Sequence, residues 1–160
     1  MKKSVRVGLS FGLTSGVITT LGLMIVLNSS TNSKIVVIGG ILTIAIADAL
    51  SDSMGIHIAA ESQNRHSVKA IWEATISTFF YKFIFSSIFI LPVILFKLRT
   101  AVPICILIGL YLIFASSLLI AREQKANPWK VIGEHVLLTI IVIIVAHFVG
   151  LFIAHTFGTI

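Results

Sequence analysis

Three stretches without a single Asp, Glu, Lys or Arg, namely Gly8 to Ser33, Ala101 to Ala121 and His135 to Ile160, limit what this chain can fold into more than any other feature. Each approaches or exceeds the roughly 20 residues that a helix needs to cross about 30 Å of hydrocarbon. With 57% hydrophobic and 11% charged residues, a water-soluble domain of 160 residues would leave much apolar surface against water. The expected solvent is a bilayer.

Hydropathy and polar breaks predict one all-α membrane domain over 1–160, with five transmembrane helices at about 9–27, 35–59, 74–96, 101–121 and 131–157. Helices are expected because a lone span must satisfy its own backbone. A transmembrane barrel would show alternation over about ten residues, whereas Ile104 to Phe114 and Val136 to Val145 are almost continuously aliphatic. The first span follows Lys2, Lys3 and Arg6 but is too long for a signal h-region and lacks an Ala-x-Ala site, so it is expected to be retained.

Orientation follows from the basic residues of the short loops. Lys2, Lys3, Arg6, Arg65, Lys69, Arg122, Lys125 and Lys130 fall on the side of the N-terminus, while Lys34, Lys97 and Arg99 fall opposite. That bias predicts a multi-pass protein of the cell membrane with a cytoplasmic N-terminus and an external C-terminus. It also explains the net charge of +6 through anionic membrane lipid, without nucleic acid as a partner. Cys105 is the single cysteine, so neither a disulfide framework nor a cysteine-based metal site is expected.

Within the second span stand Asp48 and Asp52, one helical turn apart among apolar and small residues. An ionised carboxylate at a helix centre costs roughly 2.5–3.5 kcal/mol even on insertion scales, so such residues usually face a bundle interior or an ion path. At i and i+4 their Cβ atoms lie about 5–6 Å apart, close enough to share one cation. Two carboxylates so close in a low dielectric favour binding either a proton or a cation, which is the competition an antiporter needs. The plainer reading is that Lys82, deep in the third span, neutralises the pair; yet one lysine balances only one carboxylate. Lys82 is also a candidate tethered cation that fills the site between transport events.

Around the pair, Ser51 and Met54 on the same span and Ser15 and Thr19 on the first are candidate auxiliary ligands. Oxygen donors suit hard or borderline ions, and a thioether tilts the preference towards softer transition metals. His57 and Glu61 continue at i and i+4 as a relay or a solvated helix end, and His147 is a candidate for a proton step or a buried hydrogen bond. His135, His147 and His155 do not share one face, which argues against a joint metal site on the last helix. Gly8, Gly12, Gly16 and Thr20 make a smooth stripe for close helix contact, or the lining of a path that includes the hydroxyls of Thr14, Ser15 and Thr19. No internal repeat is present, so a symmetric pathway would need a second copy, and a homodimer is expected.

The run ADALSDSMGIHIAAESQ, Ala47 to Gln63, resembles the second helix of the vacuolar iron transporter family, approximately AGALSMALGEYVSVSSQ, sharing Ala47, Ala49, Leu50, Ser51, Gly55, Ser62 and Gln63. The segment GLTSGVITT, Gly12 to Thr20, is similar to that family's GLNDGLVST, and Pro92, Gly133 and Gly150 fall where the family has similar residues. The resemblance implies a dimer that moves Fe²⁺ or Mn²⁺ out of the cytosol in exchange for protons, with the divalent metal as cargo and no bound cofactor. Ser15 stands where the family has its first-helix aspartate, Asp52 where it has a methionine, and Gly55, Ile56 and His57 where it has Gly-Glu-Tyr. Between Ser62 and Glu73 only Glu73 and His66 are available in place of the acidic cytosolic helices of the plant members.

The expected function is therefore secondary transport of divalent metal. The rival is a non-transporting membrane scaffold or assembly partner whose polar residues only hold helices together. An enzyme is not expected, because no nucleophile and base pair or phosphate-binding loop stands out.

Overall fold

A computed structural model describes residues 2–63 and 67–158. Arg65 and His66, counted above for orientation and metal capture, lie outside the described residues, as does the extreme C-terminus.

Polar and conformational breaks divide the chain as hydropathy requires. Helix α1 (Lys3–Thr31) ends where Asn32 turns left-handed and donates its N–H to the Asn28 carbonyl, in the NSSTNSK segment. The second span joins α2 (Lys34–Thr43) to α3 (Ala49–Ser62) through a π-helical turn at Ile44–Asp48, with helical dihedrals at both junctions, so the rod is continuous. The third span comprises α4 (Val68–Ser87), whose first turn is capped by the Ser67 hydroxyl, and the short α5 (Ile90–Leu95). Pro92 lacks the N–H that would reach the Ile88 carbonyl, which accepts instead from Leu91 at 3.4 Å, and this produces the break between them. Helix α6 (Leu98–Gln124) closes on left-handed Lys125, and α7 (Pro128–Phe157) opens with Pro128 in its first turn and the Asn127 side chain accepting from the Trp129 N–H.

Among the described residues, these make five helices long and apolar enough to cross a membrane: Lys3–Thr31, Lys34–Ser62, Val68–Leu95, Leu98–Gln124 and Pro128–Phe157. They outrun most of the expected bounds because hydropathy stops at the first charge, whereas hydrogen bonding carries the helix on through Lys3 and Arg6 in α1 and through Arg122 in α6.

Helix α1 is central and packs on α4, α7, α6 and α2. Val17, Leu21 and Met24 of α1 meet Val37 and Ile41 of α2, Phe89 and Val93, and Ala101, Cys105 and Ile113 of α6 in one core, all essentially without exposure. Large apolar side chains such as Leu137, Ile141, Phe148 and Phe152 of α7 point outward. That inversion suits a hydrocarbon solvent, in which outward Leu and Phe carry no penalty.

Small residues set how closely the helices approach. A Cβ on Gly12 would stand 2.8 Å from the Thr78 carbonyl oxygen and 2.9 Å from the Lys82 nitrogen, so the glycine stripe of α1 lies directly on the α4 backbone. Of the two uses open to that stripe, helix contact is what it performs. At the end carrying the N-terminus, Lys2 holds Glu73 at 2.5 Å and Arg6 meets Glu123 at 3.1 Å, while at the other end the Lys34 ammonium donates to the Ile94 carbonyl.

Candidate functional site

Close contact between α1 and α4 determines what can face the aspartates. The polar residues Thr75, Thr78, Lys82 and Ser86 recur along α4 at spacings of three and four and are all buried. Their stripe runs along the glycines, and the Lys82 stem passes over Gly16. The ammonium emerges between α1 and the second span with no exposure to solvent.

There it meets Asp48, Asp52 and Ser15 together. Lys82 Nζ donates to Asp52 Oδ2 and to Ser15 Oγ, the latter at 3.0 Å, and the Ser15 hydroxyl in turn donates to Asp52 Oδ2 at 2.6 Å. Asp48 Oδ2 lies 2.5 Å from the same ammonium, but at an angle outside hydrogen-bond geometry, so that buried oxygen has coulombic contact without a hydrogen-bond donor. The two carboxylate side chains keep 33% and 24% exposure, against none for Lys82. One ammonium faces two carboxylates, and the ionised triad carries one net negative charge.

A π-helical turn ends at Asp48 and the α-helical register resumes at Ala49, whose N–H reaches back to the Ile44 carbonyl. Such turns insert one residue and are frequent at functional sites. Here the turn sets Asp48 at the junction of two registers, with Asp52 one ordinary turn further on.

The remaining candidates separate. Thr19 donates its hydroxyl to the Ser15 carbonyl within α1, at 2.7 Å. Ser51 is exposed, and Met54 is 57% exposed on the outer surface. Two residues beyond Asp52 correspond to about 200° of helix, which turns the Met54 thioether away from the carboxylate. It therefore lies outside the cluster that was expected to include it.

His57 points to the α4 side of α3, with Nδ1 3.0 Å from Thr75 Oγ1 and its ring 4.8 Å from that of Trp72, edge-on. The Thr75 hydroxyl already donates its single proton to the Ile71 carbonyl, so His57 Nδ1 is the donor of that pair. Glu61 is exposed one turn further along. His147 bonds Ser29 Oγ at 2.9 Å, and Ser29 lies fourteen residues along α1 from Ser15, roughly 21 Å at 1.5 Å per residue. His147 thus joins α7 to α1 at a distance from the triad. The last helix makes a second such link, His135 Nδ1 to Ser117 Oγ at 2.8 Å.

Thr75 and Trp72 were not singled out from the sequence as partners of His57. The polar stripe at 75, 78, 82 and 86 was the available signal, since hydroxyls and an ammonium at helical spacing in an apolar span mark a face turned inward.

Among the described residues, no three of the side chains His, Cys, Asp and Glu come together in a way that could hold a metal ion. A divalent ion at this place would have the carboxylates of Asp48 and Asp52, the Ser15 hydroxyl and water as oxygen donors, and would have to displace the ammonium.

Compared with known proteins, the chain matches no family model, no curated protein and no solved structure.

Proposed function

We propose that this chain is a secondary transporter of divalent metal, Fe²⁺ or Mn²⁺, exporting it across the cell membrane from the cytosol in exchange for protons. In this reading Asp48 and Asp52 receive the ion, Ser15 assists, and the Lys82 ammonium takes the ion's place when it is absent. The observation that carries the reading is the triad itself: a cationic group shared by two carboxylates and a hydroxyl inside helices long enough to cross a membrane. Structural neutralisation needs one carboxylate per lysine, whereas two carboxylates match a dication. Charge balance supports the exchange, because in a low dielectric the pair is neutralised either by the dication or by the ammonium together with a proton. The choice of Fe²⁺ or Mn²⁺, and the homodimer, rest on the resemblance of Ala47–Gln63 and on the absence of an internal repeat.

The full burial of Lys82 favours a second reading, a non-transporting scaffold in which the triad clamps α1, α4 and the second span together. Proteoliposomes loaded with a pH dye and given an inward Mn²⁺ or Fe²⁺ gradient separate the two. For a transporter, metal uptake and a coupled pH change are expected in the wild type and lost in Asp48→Asn/Asp52→Asn. Absence of metal flux in a folded, correctly inserted wild type would leave the scaffold reading in its place.

A further inference from the structure

Two open grooves run along α4 on either side of a single ridge. The first, of about 370 Å³, lies between Val5 of α1 and the α4 residues Lys69, Trp72, Glu73, Ile76 and Ser77. The second, of about 540 Å³, lies between Leu50, Met54 and His57 of α3 and the α4 residues Trp72, Ile76 and Phe80. Trp72 and Ile76 line both, and each is about half exposed, so they form the crest that divides the two channels.

Lys69, Trp72, Ile76 and Phe80 follow one another at three and four along α4, on one face. From Lys69 to Phe80 the helix rises roughly 16 Å at 1.5 Å per residue. That matches one leaflet, half of a hydrocarbon core of about 30 Å. Trp72 stands one turn inside the lysine, the depth at which tryptophan settles in a membrane interface. At the top of the ridge Glu73 is already held by Lys2 and Ser4, and among the described residues Lys69 forms no ion pair. Its field acts on the Glu73 carboxylate one turn along, but with no direct pair its ammonium can still take an anion from outside the chain.

We propose that this ridge seats one anionic glycerophospholipid, with an acyl chain in each groove and its phosphate at Lys69. The arrangement suits two chains joined at one headgroup: two apolar channels flank a crest one side chain wide, and the cation stands about one turn before that crest on the same helix face, lining the first channel. The second groove also touches Ser53 and Met54, which follow directly on Asp52, so the acyl chain there covers the outer flank of the helical turn that carries the carboxylate. This inference does not depend on the cargo.

Native mass spectrometry of the full chain in detergent, equilibrated with equal amounts of phosphatidylglycerol and phosphatidylcholine and without added metal, provides the test. The wild type should retain phosphatidylglycerol preferentially. Lys69→Gln should lower that preference about five-fold, as expected from one basic residue near an anionic surface, while phosphatidylcholine binding persists. Ile76→Trp, which raises the crest at a half-exposed position and narrows both channels, should reduce the occupancy of both lipids. Equal retention of the two lipids by the wild type would overturn the proposal. So would a dimer whose lipid count ignores Ile76→Trp, since a second copy would then cover the grooves.

Discussion

Without its ammonium at Lys82, the triad would set two carboxylates against each other with only the Ser15 hydroxyl between α1 and Asp52. Breaking a buried ion pair by removing one partner costs about 3–5 kcal/mol, and the partial exposure of both aspartates places Lys82→Met near the lower figure, about 3 kcal/mol. Unfolding in detergent should report that loss. Added Mn²⁺ should raise the midpoint of the variant more than that of the wild type, because an ion that binds only the folded state stabilises it by mass action, and the variant has no ammonium to displace. Equal shifts in both proteins would count against a cation site. Ser15→Ala removes one hydrogen bond to Asp52 and one from Lys82, for an expected loss of about 1–3 kcal/mol by the same assay. At this scale the sequence was informative about the pair, since i and i+4 spacing places Asp48 and Asp52 on one face wherever the helix goes. It also named Lys82 as the neutralising group. What it could not supply was that both carboxylates converge on that ammonium, because this depends on how α4 is rotated against the second span.

Rotation and approach belong to the helices. The stripe of Gly8, Gly12 and Gly16 predicted close contact, and the structure identifies α4 as the neighbour. Gly12→Ala should therefore cost about 1–3 kcal/mol by overpacking, since its methyl would press on the Thr78 and Lys82 backbone. Gly39→Ala in α2 is the matched comparison: its Cβ would meet nothing within 4 Å, and replacing a mid-helix glycine should leave stability unchanged or raise it by about 1 kcal/mol. Thermal unfolding of the two variants side by side checks both, and reversed signs would mean that α1 and α4 are not this close. The break before Pro92, inside the expected 74–96 span, was not foreseen, but the five spans themselves were legible from hydropathy. The π-helical turn was not, because IAIAD contains no glycine or proline to mark it. Met54 was misplaced for a related reason: nearness in sequence suggested a ligand, whereas 200° of rotation separates it from Asp52.

For the whole molecule, the distribution of basic residues carries the expected orientation. A Cys105→Ala background with Lys97→Cys should react with an impermeant thiol reagent applied outside intact cells, and the same background with Lys3→Cys should react only after permeabilisation. The opposite pattern would invert the direction assigned to export. The helices also constrain one another through the surplus residue between Ile41 and Ala49. Wound as an unbroken α-helix with every residue kept, the second span could not hold both of its halves on their present faces. If Asp48 and Asp52 stayed with Lys82, everything before them would swing by about 100°. Val37 and Ile41, now sealed in the interior, would be turned to the outer surface. A single peptide unit thus keeps the greasy half of the rod and its acidic half in phase with different neighbours.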